Sequence, residues 1–150
     1  MNNLLAMKLK PVKQNGLVGF ADETGDVVIP CQWRDARGFH CGRAWVRDDR
    51  GKYGFIDEAG TQVIPCIWQR VYSFSEDLAA VQDADSKWGY ISTSGELVIP
   101  CQWMSARSFT RGKAAVEDDA GVFYHIDKQG HLSALSFIRR LFLWPLFSRS

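Results

Sequence analysis

From Gly16 to Gly130 the sequence repeats itself with a period of 35 residues. Gly19, Gly54 and Gly89 stand one period apart, and so do Gly25, Gly60, Gly95 and Gly130. The blocks Val-Ile-Pro-Cys-Gln-Trp at 28–33 and 98–103 and Val-Ile-Pro-Cys-Ile-Trp at 63–68 keep the same step, as do Phe39, Phe74 and Phe109. A fixed period of about 20–50 residues marks a stacked or radially repeated architecture, in which no unit buries its apolar face alone. Every residue type that recurs is one that construction by itself requires, so the repeat describes how the chain is built rather than what it does.

Within a period the apolar residues alternate with a step of two and stop at turn residues, which predicts strands rather than helices. In the second unit, Arg43-Ala44-Trp45-Val46-Arg47 reads as a strand and Asp48-Asp49-Arg50-Gly51 as its turn. Lys52-Tyr53-Gly54-Phe55-Ile56 is the next strand, and Asp57-Glu58-Ala59-Gly60 a hairpin turn in which aspartate opens and glycine supplies the positive φ. The same turn recurs at 22–25, 92–95 and 127–130. Gln62-Val63-Ile64 follows, and Pro65, which has no N–H for a ladder, is expected to close the strand or mark an edge. Each unit is thus a three-stranded antiparallel meander. Residues 7–15 fall in register with 42–50, so the expected fold is all-β, a tandem repeat of four meanders at about 7–33, 42–68, 77–103 and 112–138, with twelve strands, stacked as a short spiral or ring. A single closed barrel is the alternative. The connectors at 34–41, 69–76 and 104–111 are too short for long helices, and their periodic phenylalanines are expected to plug onto the core.

A glycine after an aromatic or apolar residue inside a strand, as in Val18-Gly19, Tyr53-Gly54 and Trp88-Gly89, permits a bulge or the close approach of another backbone or ring. Trp33, Trp68 and Trp103 are expected to stack between units. Lys87-Trp88-Gly89-Tyr90-Ile91, the Gly-x-x-Val-Ile-Pro segment and the Phe…Gly-x-Ala-x-Val element resemble the bacterial Trp-Gly (WG) β-repeat family, closely over 16–121 and loosely in the fourth unit. The resemblance implies tandem β arrays used as binding or scaffold modules and supplies no catalytic residue. Tyr124 stands where the glycine is expected and Leu135 where the proline is, so the fourth unit reads as a degenerate terminal cap within a single domain, 1–150.

Chemistry is hard to find. Asp22, Asp57 and Asp127 open turns, and Asp48, Asp49, Asp83, Asp85, Asp118 and Asp119 are expected on solvated tips. No nucleophile motif, phosphate loop or calcium loop is present. Cys31, Cys66 and Cys101 repeat 35 residues apart, which suits a small apolar core position better than a metal site or a disulfide scaffold, and no metal or cofactor is expected. The net charge of +1 lacks the signature of a nucleic-acid binder, although residues 51–100 carry 3 basic and 7 acidic groups between mildly basic flanks. The N-terminus has no stretch of signal-peptide character, so a cytoplasmic location is the expectation.

A binding surface should lie where the architecture imposes nothing. The connectors read Arg34-Asp35-Ala36-Arg37, Gln69-Arg70-Val71-Tyr72 and Met104-Ser105-Ala106-Arg107, and equivalent loops of a repeat stack share a face. Arg34, Arg37, Arg70, Tyr72, Met104 and Arg107 are therefore the candidate protein-binding residues, of the types enriched at interfaces. The apolar tail, 137–150, is expected to cap the open end, ahead of a partner anchor or a membrane contact through 137–147. The expected function is a non-enzymatic protein–protein interaction module of a bacterial cell, in its finer form an immunity or inhibitor protein that neutralises a toxin. The alternative is a glycan or cell-wall binder using Trp45, Trp88 and Tyr53 as outward aromatics.

Overall fold

A computed structural model describes residues 8–133. The expected alternation appears as strands β1 (Lys10–Gln14), β2 (Leu17–Ala21), β3 (Val27–Trp33), β4 (Asp35–Ala36), β5 (Ala44–Arg47), β6 (Tyr53–Ile56) and β7 (Gln62–Trp68). They continue as β8 (Arg70–Val71), β9 (Leu78–Gln82), β10 (Trp88–Ser92), β11 (Leu97–Trp103), β12 (Ser105–Ala106), β13 (Lys113–Glu117) and β14 (Phe123–Asp127). No helix occurs among the described residues. Four separate antiparallel sheets form, in the orders β1-β2-β3, β4-β5-β6-β7, β8-β9-β10-β11 and β12-β13-β14, and the described strands close no single barrel.

Two expectations need correction. Each connector contributes a two-residue strand, β4, β8 or β12, that pairs with the first strand of the following unit, so the two middle sheets have four strands rather than three. One residue, Arg34, Gln69 or Met104, separates the end of one sheet from the start of the next. The third strand of each unit also does not end at its proline: β3, β7 and β11 run through Pro30, Pro65 and Pro100 to the tryptophan. Proline is tolerated because these strands are sheet edges, and the ladder is bulged there, with register shifts between the pairs Val18–Trp33, Phe20–Ile29 and Ala21–Val27 and their equivalents. The third strand of the fourth unit is seen only at its start, where Leu132 bridges to Ile126. The tail at 137–150 lies outside the described residues.

The bulge explains the strand glycine. A Cβ on Gly54 would press on the Ile64 carbonyl oxygen and come within 2.8 Å of the Cys66 nitrogen, and Gly19 and Gly89 face the same crossing at Ile29–Cys31 and Ile99–Cys101. The turn glycines do a different task. Gly60, Gly95 and Gly130 have φ of +85°, +90° and +86°, and a Cβ there would lie 3.2, 3.1 and 3.5 Å from Ile29, Ile64 and Ile99 of the preceding unit. Gly25, in the first unit, has nothing within 4 Å. Each hairpin turn therefore seats on the buried isoleucine of the unit before it.

The core is divided the same way. One cluster joins Val18, Phe20 and Ile29 of the first unit to Ala44, Val46 and Ile56 of the second. Another joins Phe55 and Ile64 to Ala79, Val81 and Ile91. A third joins Tyr90 and Ile99 to Ala114, Val116 and Ile126. The connector phenylalanines plug these clusters as expected, with Phe39, Phe74 and Phe109 at 4.9, 4.8 and 4.8 Å from the rings of Phe20, Phe55 and Tyr90. The late tryptophans pack at the unit boundaries. Trp103 lies 6.0 Å from Tyr124 of the next unit, while Trp33 and Trp68 cover the first and second clusters.

Candidate functional site

The connector positions are held by backbone bonds that are the same in every unit. The amides of Arg34, Gln69 and Met104 donate to the carbonyls of Arg47, Gln82 and Glu117 at 2.9, 2.9 and 2.8 Å. Those of Arg37, Tyr72 and Arg107 donate to Trp45, Ala80 and Ala115 at 3.2, 2.9 and 2.9 Å. Between them Ala36, Val71 and Ala106 point into the core. The framework thus sets where these side chains start and leaves their identity open.

The sequence-selected residues are all exposed, but their surroundings divide them. Arg34 donates from Nε to Asp49 Oδ1 at 2.7 Å, on the hairpin tip of the next unit. Gln69, in the same slot, donates to the Ala84 carbonyl at 2.9 Å, and Met104 receives Lys87 Nζ at 3.3 Å, with Lys87 itself paired to Asp119. Arg34 and Gln69 thus bond to the hairpin of the following unit, and Met104 touches the lysine that does so, a structural use that the sequence reading missed. Tyr72 stacks on Trp88, with centroids 5.1 Å apart and planes 12° from parallel, and keeps 43% of its surface in solvent. The Arg107 carbonyl accepts from Tyr90 Oη at 2.6 Å, while its guanidinium stays exposed. Burial pushes the Tyr90 phenol far up, which keeps it a donor to that carbonyl. Arg37, Arg70 and Arg107 make no salt bridge among the described residues.

The expectation of Trp88 as an outward aromatic is corrected, since this ring is 7% exposed and buried in the core cluster beneath Tyr72. Trp45 and Tyr53 are half-buried and meet edge-on at 5.3 Å.

Turn aspartates do what the sequence implied and more. Asp57 Oδ1 accepts from the amides of Ala59 at 3.0 Å and Thr61 at 2.9 Å. Asp48, expected on a solvated tip, brackets its own turn in the same way, accepting from Arg50 at 2.9 Å and Lys52 at 3.0 Å, and Asp83 and Asp118 repeat the pattern. Partial burial opposes ionisation of Asp48, but the Lys52 and Arg50 amides and the Arg50 side chain outweigh it and hold its pKa below the usual 3.8. The repeated cysteines are free thiols, Cys66 buried and Cys31 and Cys101 half-buried. Burial pushes the Cys66 and Cys101 thiols up to about 11, the opposite of a nucleophile or metal ligand. Among the described residues no three His, Cys, Asp or Glu side chains are grouped to hold a metal ion.

The sequence reading also missed the turn that ends each connector. Cys41-Gly42, Glu76-Asp77 and Arg111-Gly112 all have positive φ, and His40, Ser75 and Thr110 pair with Arg43, Leu78 and Lys113 across them. These are two-residue turns of the primed type, whose hand matches strand twist. Glu76 adds a tie between units, accepting from the Gly112 amide at 2.9 Å and facing Lys128 at 3.7 Å.

No curated protein matches the chain. The family model described as WG containing repeat matches three times in succession, at residues 19–53, 53–87 and 88–120, the span over which the bulge glycine, the bulged third strand and the connector strand recur. On that match and on the shared unit geometry, the chain belongs to the WG containing repeat family.

Proposed function

We propose that this chain is a non-enzymatic protein-binding module of a bacterial cell, working in the cytoplasm and binding through the outer side of its connectors, and that its partner is a toxin it neutralises. The observation that supports this reading is the slot of Arg37, Tyr72 and Arg107. Its backbone is bonded identically in each connector, yet its side chains are exposed and follow no structural rule of the repeat. Interface energy concentrates in arginines and aromatics of this kind. Membership of a β-repeat family agrees with a binding module, and no helix among the described residues is long and apolar enough to cross a membrane. A glycan platform has less support, because Trp88 is covered by Tyr72.

The test is a pull-down from the native host with the wild-type chain and an Arg37→Ala, Tyr72→Ala, Arg107→Ala variant as baits. Tyr72→Ala gives up a ring stack of about 1 kcal/mol, so the variant should melt only a few degrees lower. Loss of the captured protein by a folded variant is the expected result. Capture that is unchanged would exclude this face as the contact.

A further inference from the structure

Arg37, Arg70 and Arg107 lie at exposed connector positions and carry no counter-ion among the described residues, whereas Arg34 is matched by Asp49 and Lys87 by Asp119. Tyr72 sits between Arg37 and Arg107 in the repeat, one unit from each, and lies flat on Trp88. The two slots that hold Tyr72 and Trp88 hold Arg37 and Tyr53 in the preceding unit and Arg107 and Phe123 in the following one, where Phe123 is 61% exposed. By their equivalence in the repeat, these positions offer guanidinium groups with no ion pair among the described residues, together with exposed aromatic surface at Tyr72 and Phe123.

We propose that this face takes an acidic protein surface, one that presents carboxylates to Arg37, Arg70 and Arg107 around an apolar contact on Tyr72 and Phe123. The inference deepens, and rests on, the reading of the connectors as the contact face. Its physical basis is desolvation. An interface that covered these guanidinium groups without countercharge would bury unpaired cations, and the Coulombic and hydrogen-bonding gain that offsets this comes from carboxylates, which the planar arginine fork matches bidentately. Nucleic acid fits less well. A single-strand groove uses a run of stacking platforms along a continuous basic track, whereas here one ring face of Tyr72 is already taken by Trp88, and Arg34 and Lys87 are neutralised by Asp49 and Asp119.

The probe is a displayed library of random peptides panned on the full chain, followed by binding of the enriched peptides to wild type and to Arg37→Ala, Arg107→Ala protein of near-wild-type melting temperature. The expected peptides carry an excess of Asp and Glu with an apolar or aromatic anchor. They should bind at least about tenfold more weakly to the variant, and weaken as salt rises from about 50 to 300 mM. Enriched peptides that depend on the arginines but are neutral or basic would overturn the acidic partner and leave the connector face standing. Peptides that bind both proteins equally would overturn the face itself. Arginine-dependent binding of a single-stranded thymidine oligonucleotide, tested alongside at equal or higher affinity, would replace the acidic protein with a nucleic acid.

Discussion

Gly54 shows how a single missing Cβ sustains a unit. Its neighbours across the ladder are backbone atoms of Ile64–Cys66, which cannot rotate out of the way as a flexible side chain could, so any larger residue must break the bulge or separate the strands. Gly54→Ala and Gly89→Ala should each cost about 3 kcal/mol or more, read from the urea midpoint, whereas Gly38→Ala, at a site with nothing within 4 Å, should change it little. Tyr124, which fills the corresponding slot in the last unit, stands where the sequence lacks the Pro-Cys pair that forms the crossing. The turn aspartates set the acid limit. Asp22 is held below 3.8 chiefly by the Thr24 hydroxyl, Asp127 chiefly by the His131 amide, and Asp48 despite partial burial. A depressed folded-state pKa contributes stability that is fully present above the unfolded value and is lost as pH falls through the folded one. The melting temperature should therefore hold steady from neutral pH to about 5 and fall below about 4. Asp48→Ala should cost about 1 kcal/mol at pH 7 by freeing two turn amides, and its deficit should shrink in acid as the wild-type carboxylate protonates.

At the scale of the element, the primed turns that end the connectors differ in one informative way. Two of them place glycine second, Gly42 and Gly112, while Glu76-Asp77 places an aspartate at φ +66°. Asp77→Gly should remove that left-handed strain and raise stability by up to about 1 kcal/mol, seen as a higher melting temperature. An unchanged or lower value would mean that the Asp77 side chain compensates its own backbone. The Asp-x-x-Gly hairpins were legible in the sequence because aspartate and glycine each satisfy a backbone demand that is local. The third strand was not, since proline ends a central strand but only bulges an edge strand, and which of the two applies depends on pairing. The strands β4, β8 and β12 were hidden because two residues show no period. Of the candidate site, the exposed residues could be picked out as departures from the repeat. Their engagement could not: the Arg34–Asp49 pair and the Tyr72–Trp88 stack join residues 15 and 16 positions apart, which only the pairing of the hidden strands β4 with β5 and β8 with β9 brings together.

At the scale of the whole molecule, the units are bound to one another at seams of constant design, a turn glycine on an isoleucine, a connector phenylalanine on an aromatic, and a core cluster drawn from two neighbours. Repeated positions thus carry stability, and they leave the identity of the Arg37, Tyr72 and Arg107 slot open. Stability in such an array is a sum of unit and seam terms, so local opening should follow the repeat. Native-state amide hydrogen exchange resolved by residue measures this most directly. The account predicts protection that rises and falls every 35 residues, strongest in the central strands at Val18–Ala21, Gly54–Ile56 and Gly89–Ile91 and weakest at the turns 23–25, 58–60, 93–95 and 128–130. Protection confined to one stretch of the chain, or spread with no relation to that period, would contradict it.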